Sequence, residues 1–207
     1  MMTSIEPIIA SFLKSVKNNE IELYNEFSLQ HELGIFLRKE FLQKNLDYKV
    51  QFERNVSYFG ISRTAKVVKK EIDIVIFDSD QKEKYAIELK FPRNGQVPEQ
   101  MYSFVKDIRF MEQLKNLYGF RHTYCLVLVD SDLFHADSTK KDSIKKASGE
   151  DNIYRYFRDT HIVTGCIPKP TGTSSESITL DGKYSFVWKD AGKGEDGKER
   201  KFYCIEI

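Results

Sequence analysis

Three charged residues lie inside two short apolar segments of this chain. Asp73 interrupts the segment Glu71–Phe77, and Glu88 and Lys90 interrupt the segment Tyr85–Phe91. A buried charge is costly unless it is paired or binds a metal ion. Two carboxylates that face each other without a cation repel, and a divalent metal ion removes that conflict. These residue types therefore indicate a metal-assisted reaction site.

The two segments read as strands of one hairpin. Side chains along a strand alternate between its two faces, so Glu88 and Lys90 are predicted to point to the same side. In the first segment the alternation predicts that Asp73 faces away from a row of three isoleucines: Ile72, Ile74 and Ile76. Segment 78–84 is short and polar, which is typical of a hairpin turn. Such a hairpin would bring Asp73 beside Glu88, with Lys90 nearby.

The flanking sequence predicts the elements that position this hairpin. Apolar residues recur at helical spacing over 5–18 and over 22–43, and a third helix begins near Pro98 and ends near Tyr118. The predicted strands outside the hairpin are Val50–Val56, the strand-like Ala65–Val68, and Thr123–Asp130, whose continuous apolar run is typical of a central strand.

The sequence after residue 130 is less regular. It predicts, in order, an irregular polar excursion over 131–149, a short helix Asn152–Arg158, a short strand His161–Gly165, a loop over 167–182, and a final hairpin formed by Tyr184–Lys189 and Lys201–Ile207.

Composition bounds the class of protein. The chain has 207 residues, 41% hydrophobic and 30% charged, which is typical of one globular domain. Its net charge of +1 gives no global support for avid nucleic-acid binding, so any such site is a local patch. No apolar stretch approaches the about 20 residues of a membrane span, and no signal peptide is recognisable. Three scattered cysteines suit a reducing cytoplasm, which is the location we expect.

Asp73, the Glu88-Leu89-Lys90 triplet, the helix after them and the strand Tyr124–Val129 resemble the core of the PD-(D/E)XK nuclease superfamily. The resemblance covers roughly residues 25–130, and Ile72 stands where the signature has proline. It implies an α/β fold: a three-layer α/β/α restriction-endonuclease-like sandwich with a central mixed sheet, here with a C-terminal β-hairpin extension. Residues 1–207 would form a single nuclease-like domain with its core at about 22–130 and an elaboration at 131–207.

The resemblance also implies a reaction, the Mg²⁺-dependent hydrolysis of phosphodiester bonds, with DNA as the expected substrate. Asp73, Glu88 and the backbone carbonyl of Leu89 would hold Mg²⁺, for which Mn²⁺ would substitute. Lys90 would orient or deprotonate the attacking water or neutralise developing charge. Members of the superfamily often place a glutamate from the preceding helix at the metal, and Glu32, on or beside the buried stripe of its helix, takes that role here.

Further residues are assigned to the substrate. Arg93 is placed to contact a phosphate, and Gln100 to orient substrate or water. Lysines 66, 69 and 70 precede the hairpin and, like those at 140, 141, 145 and 146, are candidates for following a phosphate backbone, although such runs are usually only solvated. For Glu53 on the preceding strand a structural role is the better interpretation. A homodimer would suit cleavage of both strands of a duplex.

Two alternatives stay open at this point. One is a non-catalytic nucleic-acid-binding or interaction domain that keeps the nuclease fold. The other is an unrelated α/β domain in which Asp73, Glu88 and Lys90 form a structural ion-pair network.

Overall fold

The computed structural model describes residues 4–62, 64–93, 95–135, 153, 157, 161–170 and 176–207. The helices are α1 (Glu6–Lys17), α2 (Glu26–Gln43) and α3 (Val97–Tyr118). The strands are β1 (Lys49–Asn55), β2 (Glu71–Phe77), β3 (Lys84–Lys90), β4 (His122–Val129), β5 (Ile162–Pro168), β6 (Ser177–Ser185), β7 (Lys189–Lys193) and β8 (Glu199–Glu206).

Six strands form one mixed sheet in the order β1-β2-β3-β4-β8-β7. The β3–β4 pair is parallel and every other neighbouring pair is antiparallel. A parallel pair needs a crossover connection, which α3 supplies between β3 and β4. Strands β5 and β6 form a separate antiparallel pair.

Helices cover both faces of the six-stranded sheet. On one face, the apolar sides of α1 and α2 join a core with alternate residues of the central strands, such as Ile76, Ile87 and Leu126. On the other face, α3 packs with Val75 and Val127 and with the apolar residues of β5 and β6. The predicted α/β class with a central mixed sheet is therefore confirmed.

Helix α2 begins at Glu26, four residues later than the sequence predicts. The Asn25 side chain accepts a hydrogen bond from the backbone N–H of Ser28 at 2.8 Å, and the Ser28 hydroxyl accepts one from the backbone N–H of Asn25 at 3.0 Å. This reciprocal pair satisfies backbone donors that a helix start otherwise leaves open. It therefore fixes the first turn of α2, which contributes to the site described below.

Several boundaries differ from the sequence predictions. Segment Ala65–Val68 is not a strand: the side chain of Gln113 on α3 hydrogen-bonds Val68 N–H and Lys66 C=O, so these groups have no strand partner. Part of the predicted loop at 167–182 is strand, because Ile178 and Leu180 of β6 alternate toward the core. The final hairpin is formed by β7 and β8, so its first strand starts at Lys189 and not at Tyr184.

Segment 136–149 and most of the predicted helix Asn152–Arg158 lie outside the described residues. Within the described ranges, no helix has the length and apolar character needed to cross a membrane.

Candidate functional site

The candidate site lies where β2 and β3 separate. Their backbone ladder pairs Phe77 with Lys84 and ends at the pair formed by Ile74 and Ile87, one step before Asp73 and Glu88. Beyond that pair, side-chain hydrogen bonds take the place of the backbone hydrogen bonds between the two strands. Asp73 Oδ2 accepts a hydrogen bond from Leu89 N–H at 2.8 Å, and Glu88 Oε1 accepts one from Asp73 N–H at 3.3 Å. The predicted hairpin is thus confirmed, and these two bonds hold Asp73 beside Glu88.

The regular alternation of β2 breaks at Asp73. Ile74 and Ile76 pack toward α1 and α2 as predicted, but Ile72 packs on the opposite face with Val75 and Phe77. The prediction that the three isoleucines share one face is therefore wrong for Ile72. The break turns Asp73 toward a pocket of about 170 Å³ at the start of α2.

Strand β1 is distorted beside the same point. Glu53 has a backbone φ of +47°, a conformation that side chains other than glycine rarely adopt. Gln30 of α2 donates from Nε2 to Glu53 Oε1 at 2.6 Å and to the Asp73 carbonyl at 2.8 Å. One amide group thus holds both distorted strands, and Glu53 contributes a carboxylate to the pocket. Backbone strain of this kind costs on the order of 1–3 kcal/mol and clusters at functional sites.

The first turn of α2 also contacts β3. Glu26 Oε2 accepts a hydrogen bond from Phe91 N–H at 3.0 Å, and Glu26 Oε1 lies 3.3 Å from Lys90 Nζ. Residues four apart share one helix face, so Glu26 and Gln30 point to the site together. Glu32 lies two residues beyond Gln30 and therefore on a different face of α2. The structure does not bring Glu32 to Asp73 and Glu88, and its metal-binding role stays a prediction without a supporting contact.

Two lysines face the carboxylates from the α3 side. Lys69 Nζ contacts Glu88 Oε2 and lies 3.0 Å from Oδ1 of Asp107, a buried residue of α3. Lys90 Nζ lies 3.6 Å from Asp107 Oδ2 and donates to the Leu89 carbonyl at 2.9 Å. Four carboxyl groups therefore lie around the two ammonium groups, and the carboxyl group of Glu53 lines the adjoining pocket. We call these five residues the acidic cluster; its members are Glu26, Glu53, Asp73, Glu88 and Asp107.

Burial changes the pKa values of several groups in this cluster. Desolvation raises the pKa of Glu88 well above its ordinary value, and the carboxylates of Asp73 and Asp107 raise it further. Desolvation also raises the pKa of Asp73, against the lowering effect of Lys69 and Lys90. Burial by itself would lower the pKa of both lysines, but nearby carboxylates, Asp107 first, outweigh it and raise both values. The surroundings therefore favour the charged form of both lysines and disfavour the ionised form of Glu88 and Asp73.

The other predicted substrate residues lie elsewhere. Arg93 pairs with Asp130 at 2.8 Å and with Asp196 at 3.5 Å, and it lines a separate pocket of about 570 Å³. Gln100 is half-buried in the first turns of α3, and none of its described contacts reaches the acidic cluster. The structure thus brings together Asp73, Glu88 and Lys90 and leaves Arg93 and Gln100 outside the group.

The donor chemistry of the site fits a hard divalent cation. Carboxylate and carbonyl oxygens are the ligands that Mg²⁺ prefers, and Mg²⁺ commonly uses one or two carboxylates with several waters. Asp107 Oδ2 is buried and lacks a hydrogen-bond partner. Over the ranges that the structure covers, no group of three or more His, Cys, Asp or Glu side chains is arranged to hold a metal. Few protein ligands are therefore available to such an ion: Asp73 faces the pocket, whereas Glu88 is buried and would bind the ion through Oε2 only after Lys69 leaves it. The Leu89 carbonyl, the other predicted ligand, accepts a hydrogen bond from Lys90 Nζ at 2.9 Å.

Sequence reasoning missed several members of the site. Asp107 carried a signal, because it lies among the buried positions Val105, Ile108 and Met111 of an apolar helix stripe. Lys69 was assigned to phosphate contacts on the surface, and its partner on α3 was not predictable from spacing. Glu26 carried no signal, because the predicted start of its helix was four residues too early.

In comparisons with known proteins, no protein-family model, curated protein or solved structure matches the chain.

The raised pKa of Glu88 predicts that Glu88→Gln stabilises the protein at neutral pH. The folded state binds this proton more tightly than the unfolded chain does. The stability from the Glu88 carboxyl is therefore fully present below its ordinary pKa of 4.5 and is lost as pH rises through the higher folded-state pKa. The glutamine variant avoids this loss. We expect its melting temperature, measured by circular dichroism, to exceed that of wild type by at least about 2–4 °C at pH 7–8 and to match it near pH 4.

Glu71→Gln is the matched control, because Glu71 is exposed at the start of the same strand. A lower melting temperature for Glu88→Gln than for wild type at pH 7 would contradict a raised pKa of the Glu88 carboxyl.

Loss of the ammonium group of Lys69 is expected to destabilise the fold. Lys69→Met leaves Glu88 and Asp107 facing each other without that cation. Removal of one partner of a buried pair costs roughly 3–5 kcal/mol, which we reduce to about 2–3 kcal/mol because the Lys69 side chain is 26% exposed. Urea denaturation measures this loss, and Lys66→Met is the control because Lys66 is exposed nearby.

The double variant Lys69→Met/Glu88→Gln should be more stable than the sum of the two single effects predicts, because the carboxyl group that Lys69 contacts is also removed. Additive effects of the two substitutions would show that the Lys69–Glu88 contact has no energetic importance.

Proposed function

We propose that the protein is a Mg²⁺-dependent nuclease that hydrolyses phosphodiester bonds, with DNA as the expected substrate. The observation that carries the proposal is the separation of β2 from β3 at Asp73 and Glu88, where two desolvated carboxylates and Lys90 meet beside an open pocket. Paired carboxylates with raised pKa values in a cleft are typical of reaction sites.

The arrangement of elements is consistent with the restriction-endonuclease-like version of the fold, which we include in the proposal. One face of the mixed sheet carries α1 and α2, and the other carries α3. The acidic residues lie on the antiparallel pair β2–β3, directly before the crossover helix and the parallel strand β4. This order matches the resemblance of residues 25–130.

In the proposed reaction, Asp73 and Glu88 would hold Mg²⁺ together with water molecules. When bound, the ion supplies a water of lowered pKa and positive charge for the phosphate oxygens. Lys90 is 14% exposed at its side chain and is held by Leu89, Glu26 and Asp107. Its raised pKa keeps it protonated, so we assign it to orient water and neutralise charge.

One observation favours a domain without catalysis over the nuclease. Lys69 and Lys90 already face Glu88, Asp107 and Glu26, as structural ion pairs would. A non-catalytic domain that keeps the nuclease fold would bind DNA without cutting it, and an unrelated α/β domain would do neither, so assays of cleavage and binding separate the three.

The cleavage test uses supercoiled plasmid, linear duplex, single-stranded DNA and RNA, each with Mg²⁺, Mn²⁺ or EDTA. We expect metal-dependent cutting by wild type and a loss of at least about 100-fold for Asp73→Asn and for Lys90→Met, because each removes charge at the reacting phosphate. Asp80→Asn is the control, since Asp80 is exposed in the turn of the same hairpin.

Cutting that survives both site substitutions would exclude this site, and binding of DNA by wild type without cutting would favour the non-catalytic domain that keeps the nuclease fold. The ratio of nicked to linear plasmid separates cutting of one strand from the paired cuts that a homodimer would make.

Metal binding has a readout that is independent of cleavage. Millimolar Mg²⁺ or Mn²⁺ should raise the melting temperature of wild type, because a ligand at about 100 times its dissociation constant stabilises the folded state by about 2.7 kcal/mol. Asp73→Asn should abolish this rise and Asp80→Asn should keep it. Equal melting temperatures of wild type with the ions and with EDTA would contradict a metal site at Asp73.

A further inference from the structure

Two exposed aromatic side chains lie at the start of α2, and one of them lines the pocket of the site. Phe27 is 66% exposed and lines the same pocket as Asp73 and Glu26, and Tyr24 is 59% exposed on the other side of Asn25. Large exposed rings beside a pocket are more informative than single apolar residues scattered on a surface.

The backbone that carries these rings is held in place. The Ser28 hydroxyl accepts hydrogen bonds from the N–H groups of Tyr24 at 2.9 Å and of Asn25 at 3.0 Å, and it donates to the Asn25 carbonyl at 2.7 Å. Because this turn also presents Glu26 to Lys90, the position of the rings is coupled to the position of the acidic cluster.

The aromatic surface continues away from the pocket across α2 and the edge strand β1. The ring centroids of Phe27 and His31 are 5.9 Å apart, and those of His31 and Phe52 are 6.5 Å apart. The Arg38 guanidinium lies 5.0 Å from the centroid of the Phe52 ring. Gly34 leaves space for that ring, because a Cβ at this position would overlap it. We call this surface the aromatic rim; its members are Tyr24, Phe27, His31 and Phe52.

The chemistry of the aromatic rim matches an unpaired nucleobase. A base offers a planar face for stacking on a ring, and polar edges for groups such as the carboxylates of Glu26 and Glu53 and the amide of Gln30. A partner protein would be matched better by an extended apolar surface, whereas Glu26, Gln30 and Glu53 line the pocket beside Phe27.

We propose that the aromatic rim stacks unpaired bases next to the bond that is cut, so that the substrate is single-stranded nucleic acid or a strand that is unstacked at the cutting point. This inference rests on the proposed function, which places the reacting phosphate in the adjoining pocket. In a paired and stacked duplex the base faces are covered by their neighbours and cannot reach Phe27. The acidic cluster binds the phosphate only with its metal, whereas the aromatic rim binds bases without it.

The test measures binding in EDTA, where no cleavage occurs. The probe is a fluorescein-labelled 12-nucleotide oligothymidylate, followed by fluorescence anisotropy, with a 12-base-pair duplex as comparison. Phe27→Leu removes the π face but keeps an apolar side chain, and it should weaken binding of the single strand on the order of tenfold. Phe27→Trp should restore binding. Leu42→Ala, at an 82% exposed position in the last turn of α2, should leave it unchanged.

Equal affinity of wild type and Phe27→Leu for the oligonucleotide would overturn the inference, as would failure of wild type to bind it. If Phe27→Leu weakened binding of the duplex as much as binding of the single strand, Phe27 would not distinguish unpaired bases, and the inference would also be overturned. An oligonucleotide made of abasic residues should bind wild type and Phe27→Leu equally weakly, and tight binding of this probe by wild type would exclude stacking. Melting curves of both Phe27 variants should match wild type, because the ring is exposed.

Failure of the inference and failure of the proposed function give different results, because the proposed function fails if wild type with Mg²⁺ or Mn²⁺ does not cut. A protein that binds the single strand through Phe27 but never cuts would have the base-binding surface without the nuclease activity. A protein that cuts but binds equally with and without the Phe27 ring would keep the nuclease and lose the aromatic rim.

Discussion

The rest of the site depends on one constraint: between β2 and β3, carboxylate side chains take over from the backbone as hydrogen-bond acceptors. Where the ladder ends, Asp73 and Glu88 each accept a backbone N–H of the opposite strand. Buried backbone donors need a partner, so the carboxylates keep the hairpin satisfied after it separates. The same separation frees the Asp73 carbonyl, which Gln30 then satisfies from α2. The opening in the sheet is thus built from paired polar groups and not from a gap in the packing.

A second buried glutamate shows how a purely structural carboxylate is arranged. Glu112 Oε1 accepts from the N–H groups of Asp181 and Gly182 and from the Tyr184 hydroxyl, and Glu112 Oε2 pairs with Arg109. This glutamate fastens β6 to α3 through three donors of β6, and Arg109 of α3 is a fourth partner. Glu88 is buried as deeply but meets one backbone N–H, one lysine and two further acidic groups. The four hydrogen-bond and ion-pair partners of Glu112 account for its burial. Glu88 has fewer partners and lies beside two further acidic groups, so its burial is less well compensated, which favours a chemical role for Glu88.

The sequence predicted the elements better than it predicted the site between them. Alternation and apolar runs identified the charged hairpin and the central strand because those signals are local. The same alternation misplaced Ile72, since the break at Asp73 depends on the distorted Glu53 and on Gln30 from another element. The role of Lys69 was not predicted for a related reason. A lysine in an irregular segment is expected to be solvated unless its partner, here Asp107 on α3, is known.

Helix α3 determines where that lysine lies, through two residues six positions apart. Gln113 binds the backbone of Lys66 and Val68 with its side-chain amide, and Asp107 binds the ammonium group of Lys69. The irregular segment before β2 is therefore anchored to α3 by both its main chain and its charge. Because Lys69 also contacts Glu88, α3 holds a positive group against the buried carboxylate of β3 while α2 holds Asp73 and Glu53 open to the pocket. The two helices thus divide the acidic cluster into a side that the protein's own lysine pairs, at Glu88 and Asp107, and a side that faces the pocket, at Asp73 and Glu53.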